Sequence, residues 1–220
     1  MFLEIPNFLD QPEIQRLREL AKKLTFVDGR VSNPGNVAKK NLQVDVQDPA
    51  YNESVQILVN AAKRSRDFRD FALPMRFAPP LLCKYEPGMQ YGVHTDGAYV
   101  RVPGGQLRTD VSCTIFISDP ATYDGGELRV HLGTEVVDLK YPPGHCVLYP
   151  STTLHEVRPV TSGQRLVAIT FIESTVRNQA YRQMIYELNE VSALEGMTMK
   201  LENRTRLEAV KANLLRMWSA

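Results

Sequence analysis

The chain has 220 residues, 43% of them hydrophobic, and its 26 Lys and Arg nearly balance 25 Asp and Glu for a net charge of +1. That length and balance suit one folded, soluble unit, exclude a disordered low-complexity polymer, and supply no overall pull toward nucleic acid or anionic lipid. Cys83, Cys113 and Cys146 are odd in number, lack Cys-x-x-Cys spacing and sit in apolar runs, so they read as reduced core thiols of a cytoplasmic protein. No basic flank before an apolar N-terminal run and no eighteen-residue apolar stretch marks export or a membrane span.

In chain order, Met1 to Ile5 reads as a short strand ended by Pro6. Asp10-Gln11-Pro12-Glu13 is a helix start, with Asp10 as cap and Glu13 three residues on. Ile14, Leu17, Leu20, Ala21 and Leu24 then recur at helical period, predicting an amphipathic helix over 11–24. Residues 28–41, rich in Gly, Asn, Ser, Pro and Lys, form a loop in which Lys39 and Lys40 are expected to be solvated, and residues 42–46 alternate like a strand. A second helix runs from Pro49 to about Arg66, and Leu73-Pro74 ends the helical pattern. Short apolar or β-branched runs follow at 75–85, 90–95, 110–118, 127–131, 134–139, 145–149, 155–160 and 165–173, separated by turns such as Asp124-Gly125-Gly126. Eight strands so spaced predict an α+β chain built on a jelly roll, whose mouth between sheets holds a ligand. After Glu173 the period becomes helical again. Ala180, Tyr181, Met184, Ile185, Leu188 and Val191 form one stripe and Leu207, Val210, Leu214, Leu215 and Trp218 another, both read as packing surface. The chain thus divides into a supporting region 1–74, a jelly roll 75–175 and a helical extension 176–220.

The chemistry centres on Tyr91-Gly92-Val93-His94-Thr95-Asp96-Gly97. His-x-Asp on a strand directs an imidazole and a carboxylate to one face, because side chains alternate with period two. Such pairs also occur on ordinary solvated strands and turns. With His155, fifty-nine residues past Asp96, they compose a 2-His-1-carboxylate set, which leaves three positions open on a non-haem Fe(II). Ten residues further, Arg165 begins the apolar run Arg165-Leu166-Val167, where a guanidinium is costly unless it meets an anion, and its planar fork suits a carboxylate. No His-Glu-x-x-His, cysteine-pair zinc site, Gly-x-Ser-x-Gly or phosphate-binding Gly-Lys loop is present.

Tyr85-Glu86-Pro87-Gly88, His94-Thr95-Asp96-Gly97, Arg108-Thr109-Asp110, Tyr123-Asp124-Gly125-Gly126-Glu127-Leu128, Pro143-Gly144, Leu148-Tyr149-Pro150-Ser151 and His155 through Arg165 together resemble the Fe(II)- and 2-oxoglutarate-dependent dioxygenases of the prolyl-4-hydroxylase-like branch. Within it the chain is similar to the PKHD-type hydroxylases; His145 departs from the pattern, outside the triad. The resemblance implies that His94, Asp96 and His155 hold Fe(II) and that Arg165 pairs with the distal carboxylate of 2-oxoglutarate. It implies that O2 is consumed, that succinate and CO2 leave, and that a peptidyl or small-molecule substrate is hydroxylated, with L-ascorbate as an accessory reductant. Tyr85 resembles a tyrosine that relatives direct at the co-substrate; the other reading is a buried structural tyrosine. Asn41 and Gln43 are candidate wall residues, and His131 and His145 read as edge or surface histidines. A sensor that binds iron and 2-oxoglutarate without turnover is the alternative function, nucleic-acid demethylation is disfavoured by charge, and the C-terminal helices are a candidate homo-oligomer contact. The segment Gly97–Leu107 is expected to form a mobile lid in which Tyr99 and Arg101 recognise substrate, against the plainer reading of a solvated connection.

Overall fold

The computed structural model describes residues 2–219, so Met1, placed in the first predicted strand, and Ala220, placed at the end of the predicted helical extension, lie outside the described residues. Two antiparallel sheets form the body. The larger runs in the order Leu3–Ile5, Cys146–Pro150, Val111–Phe116, Arg165–Ser174, Leu81–Tyr85, Leu42–Val44, Phe26–Asp28, with Pro74–Phe77 also on Arg165–Ser174. The smaller runs Glu135–Leu139, Leu128–Leu132, His155–Val157, Gln90–His94, Lys39–Lys40. The predicted strand 75–85 is therefore two strands, separated where Pro79 and Pro80 withhold their N–H groups from the ladder.

Period-two alternation sorts the larger sheet into two faces. Leu166, Ala168 and Ile172 point to an outer core with Cys113, Ile115, Cys146 and Leu148, covered by helices that contribute Leu17, Leu58 and Phe68. Val167 points inward with Cys83, Tyr85, Phe116, Val147 and Tyr149, against Leu128, Val130 and Val157 of the smaller sheet. The three cysteines are buried and free, as their apolar contexts suggested.

Helix α1 (Gln11–Lys23) carries the expected capping box: Asp10 accepts from the Glu13 N–H at 2.9 Å and Glu13 accepts from the Asp10 N–H at 3.0 Å. The second predicted helix is present, and a further short helix that was not predicted follows it. Helix α2 (Tyr51–Arg64) ends at Ser65, whose hydroxyl accepts from the Phe68 N–H at 3.2 Å and so starts helix α3 (Arg66–Ala72). Leu73 then turns left-handed (φ 44°) and Pro74 bars any continuation.

Helices α4 (Gln179–Glu195) and α5 (Leu201–Trp218) depart from the predicted stripes. Only Arg182 and Ile185 of α4 are buried, Tyr186 packs edge-on against Phe71, and Tyr181, Met184 and Val191 face outward. No residue of α5 is buried; it lies on α4 through a Tyr181–Trp218 stack with centroids 4.3 Å apart. Most of the α4 apolar stripe is therefore exposed in this chain. No helix among the described residues is long and apolar enough to cross a membrane.

Candidate metal centre

Gln90–His94 and His155–Val157 are neighbouring strands in which His94 and His155 stand directly opposite. Cross-strand partners bring side chains into contact, and here the ring centroids are 4.3 Å apart. Asp96 does not share the strand, contrary to the His-x-Asp reading. The strand stops at His94, and Asp96 is aimed instead by two contacts: its N–H donates to the Ser151 carbonyl at 3.1 Å, and the Ser112 hydroxyl donates to its Oδ2 at 2.5 Å. Ser151 Oγ backs Ser112 Oγ at 2.8 Å.

These contacts leave Asp96 Oδ1 3.8 Å from His94 Nε2 and 3.8 Å from His155 Nε2. That is too long for hydrogen bonding, yet three ligand atoms within 4.8 Å of one another are spaced for one shared ion. Both imidazoles are fixed in the useful tautomer. His94 Nδ1 faces the Gly92 carbonyl at 2.7 Å and His155 Nδ1 the Thr153 carbonyl at 2.9 Å, so each Nδ1 carries the proton and each Nε2 presents its lone pair. Burial, then the neighbouring His155, push His94 down to about 4, which keeps that imidazole neutral near pH 7.

A narrow pocket of about 50 Å³ runs from this triad between the sheets to Arg165, walled by Leu128, Val157, Val167 and Ile169. Arg165 lies opposite Tyr85 on adjoining strands, with its guanidinium carbon 5.0 Å from the centre of the Tyr85 ring. It is 1% exposed, and its Nε and Nη1 have no hydrogen-bond partner. Gly126 makes room for it: at φ 68° a Cβ there would come within 3.0 Å of Arg165 Cδ. A buried cation with unspent donors at the end of a pocket has the charge and the free N–H groups that an anion would need there.

Residues 80–173 match the 2OG-Fe(II) oxygenase superfamily. A PKHD-type hydroxylase of Sphingopyxis alaskensis is 52% identical over 98% of both chains, and one of Xanthomonas campestris pv. campestris is 38% identical over 100% of this chain and 99% of its own. The chain belongs to the PKHD-type hydroxylases. Among solved structures, a Pseudomonas putida prolyl-4-hydroxylase (TM-score 0.54, 21% identity, 79% of this chain and 92% of that one) shares the fold. So does a collagen prolyl hydroxylase from Paramecium bursaria Chlorella virus-1 (TM-score 0.57, 18% identity, 79% and 96%). This PKHD-type hydroxylase is thus an enzyme, a dioxygenase with a jelly-roll core, and its family implies Fe(II), 2-oxoglutarate and O2.

Other residues of the hydroxylase fall differently from their sequence reading. Lys39, expected in solvent, is 6% exposed: its strand pairs with Gln90–His94 and its Nζ lies 5.3 Å from the centre of the Tyr91 ring. Lys40 beside it is exposed, because neighbours on a strand face opposite ways. Asn41 and Gln43 are buried, Asn41 close to the Tyr85 hydroxyl. Tyr85 is itself buried, and burial pushes its hydroxyl well up, which keeps it a donor. His145 meets Glu4 at 2.8 Å, away from the site, and His131 is half-buried at a strand end. Sequence reasoning missed Tyr91 as a site residue; its ring stacks on His94 at 3.7 Å. A three-residue separation would put the two on opposite faces of a regular strand, but the pairing with His155–Val157 shifts register between them, and this bulge brings both to one side. Ser112 and Tyr149 were also missed, the latter edge-on to His155 at 5.1 Å; their inward period-two positions were the available signal.

The segment Gly97–Leu107 folds as a two-stranded hairpin, Tyr99–Val102 on Gly105–Arg108, closed by Gly104 and Gly105 at φ 87° and 139°. Arg108 clamps its base to Asp110 at 2.9 Å. Between the hairpin, Ser151–Thr152 and Arg177 lies a cleft of about 490 Å³ that opens on Asp96; Tyr99 lines it and Arg101 does not.

Proposed function

We propose that His94, Asp96 and His155 hold one Fe(II) and that Arg165, helped by Tyr85, anchors the distal carboxylate of 2-oxoglutarate in the pocket behind it. The buried Arg165 guanidinium, whose Nε and Nη1 have no hydrogen-bond partner, carries this reading. Bound iron supplies oxygen activation at the open positions, with the balance 2-oxoglutarate + O2 + R–H giving succinate + CO2 + R–OH. The protein supplies aim and dryness. The carbonyls of Gly92 and Thr153 fix the imidazoles, Ser112 turns the Asp96 carboxylate, and the apolar walls keep water from competing for the reacting carbon. Anaerobic Fe(II) plus 2-oxoglutarate should produce a weak visible charge-transfer band, and air should then yield succinate, with L-ascorbate sustaining turnover. A band with no succinate on any substrate would leave only a binding module.

The prime substrate is a peptidyl or small molecule seated between the triad and the hairpin. Tyr99 supplies an aromatic face in the cleft that opens on Asp96, and Arg101, two residues along the same strand and outside the cleft lining, supplies a donor fork to the part of the substrate that extends past it, with the hairpin acting as the lid. Tyr99→Ala with Arg101→Ala should leave iron and 2-oxoglutarate binding intact while uncoupling succinate release from hydroxylation, because the C–H bond is no longer held near the oxidant. Equal coupling in both proteins, read as +O product per succinate, would remove the hairpin from recognition.

Residues 75–175 carry the chemistry, 1–74 support the larger sheet, and 176–220 form an extension through which two copies associate. The exposed Met184, Val191, Leu194, Leu201 and Val210 support that contact. Light scattering should report a dimer that Val191→Asp with Val210→Asp makes monomeric; a monomeric wild type would refute it. The free cysteines and near-neutral charge support a cytoplasmic enzyme acting on neither membranes nor nucleic acid.

A further inference from the structure

Lys39 is the second buried cation near the triad, and nothing in the proposed chemistry uses it. Its strand, Lys39–Lys40, edges the smaller sheet directly beside Tyr91 and Gln90. The Tyr91 ring is flanked by Lys39 Nζ at 5.3 Å and stacked on His94 at 3.7 Å, so the ammonium stands one ring away from the iron ligands. One of its three donors is spent on Ser32 Oγ at 2.7 Å, which in turn meets Gln43 Oε1 at 2.7 Å. Among the described residues no carboxylate lies within ion-pair distance of it. Asp28, within electrostatic range, is already bound to Arg30 at 2.6 Å. Burial pushes the ammonium down, the expected response of a cation taken from water, and outweighs the opposing pull of the Asp96 and Asp28 carboxylates, neither of which is close enough for an ion pair.

The charges of the loaded site sharpen the point. On the reading above, iron, Arg165 and Lys39 bring four positive charges, while Asp96 and the two carboxylates of 2-oxoglutarate bring three negative ones. Cys83 is no counter-charge, since burial pushes its thiol up to about 11, and Tyr85 is likewise held neutral. One positive charge therefore stays uncompensated between the sheets, where isolated charge is expensive.

We propose that Lys39 binds a carboxylate of the prime substrate, so that the hydroxylase acts on an anionic molecule held by its acid group on the Tyr91 side of the metal. The substrate exchanges its carboxylate for the Lys39–Ser32 contact and makes the loaded site neutral. This inference rests on the iron and 2-oxoglutarate reading and adds the substrate class to it.

Acetate is the probe, with acetamide as its neutral counterpart, titrated onto protein loaded with Mn(II) and 2-oxoglutarate. Mn(II) enhances the relaxation of methyl protons bound nearby, and the size of the effect separates a site beside Lys39 from a carboxylate coordinated to the metal, which sits closer. Wild type should show saturable acetate binding and none for acetamide. Lys39→Met should weaken acetate by about tenfold or more, and Lys39→Arg should retain it within about threefold, as expected for one charge-assisted contact. Loading by Mn(II) and 2-oxoglutarate is measured first in every variant. Loss of loading in wild type removes the iron reading and this one with it. Normal loading with no saturable acetate effect, with acetate at metal-coordination distance, or with equal acetate binding in wild type and Lys39→Met removes the Lys39 anchor alone. Acetamide binding as tightly as acetate would overturn the anionic class even if Lys39→Met failed to fold.

Discussion

Replacing His155 by Ala should reduce iron affinity by about a hundredfold or more and leave the protein essentially metal-free after dialysis. Loss of a contact behind a metal ligand already costs 10- to 100-fold, and here the ligand itself is removed. Asp96→Ala should be at least as damaging, since Asp96 Oδ1 is the one anionic donor, 3.8 Å from each Nε2. Asp96→Asn keeps the shape and the means to meet Ser112, so its failure to bind iron would isolate the charge as the cause. Metal stoichiometry by elemental analysis decides it: wild-type occupancy in both His155→Ala and Asp96→Ala would place the iron elsewhere. The fold should tolerate the changes, since the outer core that unites sheet and helices contains none of the three.

Arg165→Ala should weaken 2-oxoglutarate by roughly ten- to a thousandfold, because a desolvated bidentate ion pair is worth on the order of a few kcal/mol. Arg165→Lys keeps the charge, loses the fork, and should fall between. The unspent Nε and Nη1 give this prediction a second arm. Without co-substrate the buried guanidinium is a burden on the fold, so Arg165→Met, of similar reach and no charge, should leave the ligand-free protein at least as stable as wild type. The rise in Tm that 2-oxoglutarate confers on the iron-loaded wild type should disappear in that variant, as linkage requires when binding is lost. Calorimetric affinity and thermal melts together check both arms. Unchanged affinity in Arg165→Ala would mean that another cation holds the co-substrate; a marked loss of ligand-free stability in Arg165→Met would make Arg165 a structural residue.

The periodicities of this chain were readable because they repeat locally. The Asp10 capping box and the α1 stripe follow from spacings of three and four residues, which act before any tertiary contact forms. The candidate site residues were legible for a related reason: an arginine leading an apolar run and a His-x-Asp beside a remote His are expensive or idle without a ligand. Three features were decided only by the assembled fold. Asp96 leaves the strand and takes its direction from Ser112 and Ser151, on segments brought beside it by sheet pairing. Tyr91 reaches the face of His94 through a bulge that exists only against His155–Val157. Lys39 sits in a run that locally reads as solvated loop, and only pairing of its strand with Gln90–His94 draws its ammonium beneath the surface. In each case the deciding partner is distant in sequence, so its effect appears only after the chain has paid the entropy of closing the intervening loop.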